Sequence, residues 1–138
     1  MLIDITQKKV GIIPCNGEEF CEGTLTRFAS RKVLDALRPG KTVTICLPLF
    51  IAGGEEERGF ARNFPTITVD GCDKRCAQIS TEKLSGKPYC SIVVSDLLRE
   101  RGVEPPRSRR VLTEKDQAAV DLVAEEIAKK VDEIQKNG

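Results

Sequence analysis

Apolar positions along the chain follow two periods, one near two residues and one near 3.6. Four short runs rich in β-branched residues, Val10–Pro14, Thr42–Leu47, Thr66–Val69 and Cys90–Val94, are bounded by Gly, Pro or charge and predict strands. Between the first two, Leu25, Phe28, Ala29, Val33, Ala36 and Leu37 recur at helical spacing, predicting a helix over Thr24–Arg38 that Pro39 and Gly40 stop. A shorter helix is expected within Glu55–Asn63, and another from about Asp73 to Leu84. Ser95 is positioned to cap a turn or two through Leu97 and Leu98 to Gly102. Pro105 and Pro106 then open a basic, extended linker over Arg107–Arg110.

The clearest element is the last, a helix over about residues 114–135. Thr113 with Asp116 matches a variant of the capping box. Val120, Val123, Ala124, Ile127, Val131 and Ile134 form an apolar stripe with charge on the opposite face. Such a stripe packs across its own domain or against a second subunit, so a homo-oligomer formed through this helix is an expectation. Leu2–Ile5 would add a short edge strand, making five. Strands alternating with helices imply right-handed crossovers. The reading is one α/β domain over residues 1–138: a mostly parallel four-stranded, Rossmann-like sheet with helices on both faces. Strand order is not written in the sequence, and 2-1-3-4 serves as a working expectation.

Composition narrows the function classes. A chain of 138 residues can bury a core without disulfide staples. Its 22 Lys and Arg nearly cancel its 21 Asp and Glu, which gives no reason to expect nucleic acid or an anionic membrane as partner. Aromatic residues are only 4% and Trp is absent, so stacking platforms for single strands are not expected either. No apolar run approaches the roughly 18 residues of a membrane span. The first residues place charge after their few apolar positions, the reverse of a secretion signal. The expectation is a cytoplasmic protein in a reducing compartment.

Six cysteines are many for such a compartment, and there read as metal-binding or catalytic rather than as bridges. His is absent, so a zinc site would use thiolates, with carboxylates as the other donor type. In open parallel sheets, ligand sites form beyond the carboxyl ends of the strands. Cys15 follows the first strand, Cys21 lies in the same loop, Cys46 falls late in the second strand, Cys72 follows the third, and Cys76 stands four residues on. Cys90 opens the fourth strand and belongs to the opposite end. Cys72 and Cys76 carry the strongest local signal, because two residues four apart on a helix share a face and can grip one ion. The helix N-terminus would also favour thiolate, and Lys74 and Arg75 add positive charge beside it. Buried cysteine acting as a small hydrophobe is the competing explanation, strongest for Cys46 and Cys90 inside their strands. Asp70 is a candidate oxygen ligand or an acceptor for the Cys72 loop. Gly17 and Gly71 would permit sharp turns, and Gly53-Gly54 reads as a mobile loop able to gate the site.

Ile13-Pro-Cys-Asn-Gly, Thr44-Ile-Cys-Leu-Pro and above all Ile67-Thr-Val-Asp-Gly-Cys-Asp-Lys-Arg-Cys-Ala resemble the DGC-domain family. The resemblance runs over about residues 9–94. It implies zinc as the bound metal ion, and its four-cysteine pattern falls here on Cys15, Cys46, Cys72 and Cys76, with Cys21 outside the pattern. Two alternatives use the same thiols. One is an iron–sulfur cluster, which four thiolates also suit. The other is a thiol-based redox or sulfur-transfer enzyme, with Cys15 and Cys21 as nucleophile and resolving thiol. A phosphatase-type Cys-x5-Arg loop does not fit, because Cys21 occupies the Arg place; the formal match from Cys21 to Arg27 begins six residues after the strand.

Overall fold

Val10–Pro14 (β1) is buried along its whole length and takes an interior position in the sheet. The computed structural model describes residues 8–137, so the strand expected at Leu2–Ile5 lies outside the described residues. The other strands are β2 (Thr42–Thr44), β3 (Thr66–Asp70) and β4 (Cys90–Val93). All pair in parallel, in the expected order β2-β1-β3-β4. Among the described residues seven helices surround them: α1 (Cys21–Lys32), α2 (Leu47–Ala52), α3 (Glu55–Arg58), α4 (Phe60–Asn63), α5 (Cys76–Leu84), α6 (Val94–Arg101) and α7 (Gln117–Asn137). No helix among the described residues is long and apolar enough to cross a membrane.

The alternation within each strand builds two unequal layers. Ile12, Ile67, Val69 and Ile92 point to one face and meet α1, α6 and α7 in a continuous apolar core. The stripe of α7 closes this layer: Val123, Ala124, Ile127 and Val131 are fully buried in the chain's own core, so the oligomer expectation loses the observation on which it rested. The capping box forms as expected, with the Thr113 N–H donating to Asp116 Oδ2 at 2.7 Å, and one 3-10 turn (Glu114–Asp116) leads into the helix. On the opposite face, Ile13 joins Leu47, Phe50, Phe60 and Ala77 in a much smaller cluster. There β3 presents Thr66, Thr68 and Asp70, all buried, and the Phe60 ring lies over Gly11, where a Cβ would come within 2.5 Å of it.

Several boundaries differ from the sequence reading for local reasons. β2 ends at Thr44, and Leu47–Ala52 turns into a helix with Pro48 in its first turn, where a missing N–H is harmless. The helix expected within Glu55–Asn63 is two short ones meeting at Gly59. Gly53-Gly54 is a tight link rather than a free loop: the Gly54 N–H donates to Glu57 Oε2 at 2.9 Å, and a Cβ on Gly53 would sit 2.7 Å from the Leu49 carbonyl. The last turn of the first long helix widens to a π turn over Val33–Leu37, where the Arg38 N–H reaches the Val33 carbonyl at 2.8 Å. Ser95 is inside α6 rather than its cap, and its N–H donates to the Gly71 carbonyl at 3.1 Å.

Candidate functional site

The loops that leave β1 and β3 meet at the carboxyl end of the sheet because the Cys15 N–H continues the parallel pairing to the Val69 carbonyl, at 2.9 Å. Beyond that bond, three glycine-bearing segments touch backbone to backbone. A Cβ on Gly23 would lie 2.1 Å from the Gly17 carbonyl oxygen, and one on Gly71 would lie 2.6 Å from the Gly23 nitrogen. Both are sterically required to be glycine. Neither Gly17 nor Gly71 has the positive φ of the sharp turns expected of them. Gly71 serves close approach instead, whereas a Cβ on Gly17 would meet only Cys15 Sγ, at 3.7 Å. Left-handed backbone falls instead on Asn16 (φ 52°) and Arg75 (φ 54°), the residues next to Cys15 and Cys76. Such conformations cost about 1–2 kcal/mol for side-chain-bearing residues and gather where function demands them.

This packing puts Cys15 Sγ against two backbone donors and the Thr26 hydroxyl. The N–H groups of Gly17 and Gly71 both approach it at 3.4 Å, and Thr26 Oγ1 stands 3.7 Å away. Thr26 is itself oriented by donating to the Gly23 carbonyl at 2.6 Å and accepting from the Asn16 N–H at 3.2 Å. Nothing in the strand and helix periods marks Thr26 or Gly23. The only available signal was their spacing, Gly23-Thr-Leu-Thr26, directly after the loop.

Asp70 ends β3 on the face turned toward α5, and is buried to 2% exposure. It accepts from the Ala77 N–H at 2.7 Å and the Gln78 N–H at 3.1 Å, so both oxygens cap α5. It therefore serves the helix rather than the Cys72 loop. Burial pushes its carboxyl above the usual range, against the pull of those two hydrogen bonds and of the Arg75 charge.

α5 begins at Cys76, not near Asp73, because the left-handed Arg75 precedes it. Cys72 consequently sits in the turn ahead of the helix, and the shared helical face expected for Cys72 and Cys76 does not exist. The two are nevertheless neighbours. With Cys15 they line one open pocket of about 450 Å³. Cys76 is exposed, yet its thiol titrates above its ordinary value, opposite to the helix-terminus expectation. Partial loss of hydration is the largest cause, followed by the negative charge of Asp70 and then by Cys15 and Cys72. Lost hydration and the neighbouring acidic groups together outweigh the one backbone hydrogen bond that favours the thiolate.

The remaining thiols stand apart. Cys46 is exposed at the start of α2, outside the pocket, although the next residue, Leu47, lines it. Cys21 is the first residue of α1 and half-buried; its neighbours Phe20 and Gly23 reach the pocket. Cys90 is level with Ile67 at the amino end of the sheet, as expected. Burial pushes its thiol up to about 11. Among the described residues, no three Cys, Asp or Glu side chains are gathered closely enough to hold a metal ion as they stand.

The DGC domain family model matches residues 11–134, which is most of the chain, and the chain belongs to that family. The match extends past the segment that resembled the family in sequence and takes in α6, the basic linker and α7. No curated protein and no solved structure matches the chain.

Proposed function

We propose that this DGC-domain protein holds one zinc ion through Cys15, Cys72 and Cys76, with Cys46 as the fourth donor. The observation that carries the reading is the convergence of three thiols from two loops on one pocket, with two backbone N–H groups directed at the Cys15 sulfur. Such N–H donors offset the negative charge of a metal-bound thiolate, and outer-shell hydrogen bonds of this kind orient ligands. The donor set is all sulfur, which suits zinc at about 2.3 Å per bond. A closed shell requires the side chains to turn toward a common centre. Cys76 and Cys46 are both exposed. With four thiolates, zinc fastens loops rather than polarising a substrate. Here those loops would follow β1, β2 and β3.

Metal analysis of protein purified without oxygen tests this. About one zinc per chain is expected, falling to near zero in the Cys72→Ser/Cys76→Ser variant. Unchanged zinc in that variant would remove the proposal. A visible absorption band with iron in place of zinc would select the iron–sulfur alternative, which uses the same thiols.

A second reading, thiol-based redox or sulfur transfer centred on Cys15, draws on the same backbone donors, because N–H groups that support a metal thiolate also support a nucleophilic one. Brief iodoacetamide treatment separates the two. Ligand thiols react only after a chelator is added, whereas a catalytic Cys15 reacts first with zinc in place.

A further inference from the structure

The thiols border a pocket of about 450 Å³, more than a single metal ion occupies. That is the size of a small-molecule site, whose usual range is about 300–1,000 Å³. Its walls are mainly apolar, with Leu47 at the base of α2 and Phe20 at the rim. The Phe20 ring is 47% exposed although it precedes a helix buried on its inner side. Two cations, Lys74 and Arg75, line the same pocket. Neither forms a salt bridge among the described residues. Arg75 also holds a left-handed backbone (φ 54°), which fixes where its side chain leaves the turn. Two carboxylates also line it. Asp70 is engaged by the Ala77 and Gln78 N–H groups, and Glu19, from the other loop, disfavours an anionic group on its own side.

We infer that this pocket binds a small organic anion. Its apolar body lies against Phe20 and Leu47, and its carboxylate, phosphate or sulfonate group meets Lys74 and Arg75. The thiols form the wall beside the bound molecule. The inference shares the thiol pocket with the zinc reading but does not depend on the metal, since none of the four contacting side chains is a proposed ligand. An apolar wall with two cations at one end selects for charge and for shape together.

Phenylacetate and its neutral counterpart phenylacetamide are suitable probes, titrated into the full chain and followed by calorimetry, with zinc measured on every sample. Phenylacetate is expected to saturate one site per chain, with phenylacetamide binding about tenfold or more weakly. Lys74→Gln/Arg75→Asn should abolish that preference; Asn is chosen because it tolerates the left-handed backbone. Phe20→Ala, at an exposed position, should weaken both probes alike. Equal binding of the two probes, no saturable binding, or a preference that survives Lys74→Gln/Arg75→Asn with an unchanged unfolding midpoint would overturn the inference. Binding that persists in protein found to contain no zinc overturns the metal reading and supports this one. Zinc at one per chain without binding does the reverse.

Discussion

The two sides of the sheet are built on different principles. On one, α1, α6 and α7 press a broad apolar layer against Ile12, Ile67, Val69 and Ile92. On the other, five buried apolar residues suffice, and β3 shows that side Thr66, Thr68 and Asp70. The broad layer holds the domain together by burying area. The narrow one is held by specific contacts: an aspartate capping a helix, Thr68 donating to Ser91 Oγ at 2.7 Å, and the Phe60 ring lying over Gly11. The thiols gather at the end of the narrow side, where Cys15 packs against the small cluster. A site needs room and polar groups, and a fully packed apolar layer offers neither. Stability and site geometry are therefore expected to be separable by mutation.

The largest expected loss comes from the broad layer. Ile127→Ala removes a fully buried side chain from α7 and should cost about 2–5 kcal/mol. Denaturant unfolding would read this directly, and zinc per chain in the folded variant should stay the same. Zinc loss without unfolding would mean that the two sides are coupled more closely than their packing indicates.

Gly23→Ala is expected to do the opposite. Its new methyl would meet the Gly17 carbonyl, which is backbone and can move only if the Cys15 loop moves. The cost in stability should be smaller, about 1–3 kcal/mol. The effect on the site should be larger, with zinc content falling and Cys15 becoming reactive to iodoacetamide. A Gly23→Ala protein that keeps its zinc would show that the glycine contact does not position the thiols.

The smallest effect concerns the surface of the broad layer. Asp121 and Asp132 are held below the usual carboxylate range, chiefly by hydrogen bonds from Lys32 and Arg38. A depressed folded pKa gives stability that is present above the unfolded value, near about 4, and is lost as pH falls through the folded value. Both carboxylates are largely exposed, at 40% and 52%, so each pair contributes about 0–1 kcal/mol. Unfolding midpoints should decline slightly from pH 5 to pH 3, and Asp121→Asn/Asp132→Asn should flatten that decline. An equally steep decline in the double variant would assign the acid sensitivity elsewhere.

Periodicity alone determined the four strands, the first and last long helices and the parallel α/β class, because burial on one or both faces repeats along the chain in a way that composition preserves. The fate of the α7 stripe was a tertiary matter: the same residues would suit a partner subunit, and only the presence of α1 and the sheet beneath them decides otherwise. For the site, the chain itself marked Cys15, Cys72 and Cys76 as candidates at one end of a sheet, through their positions after predicted strands. What brought them to one pocket was written in no local pattern. Arg75 stops α5 from starting early by taking a left-handed backbone that side chains other than Gly, Asn and Asp seldom adopt, and no propensity foretells it. Gly23 and Gly71 look like ordinary glycines until segments far apart in sequence meet over them. The pair of N–H groups from Gly17 and Gly71 is invisible in sequence for the same reason. Backbone donors belong to every residue, and only the folded chain decides which of them face a sulfur.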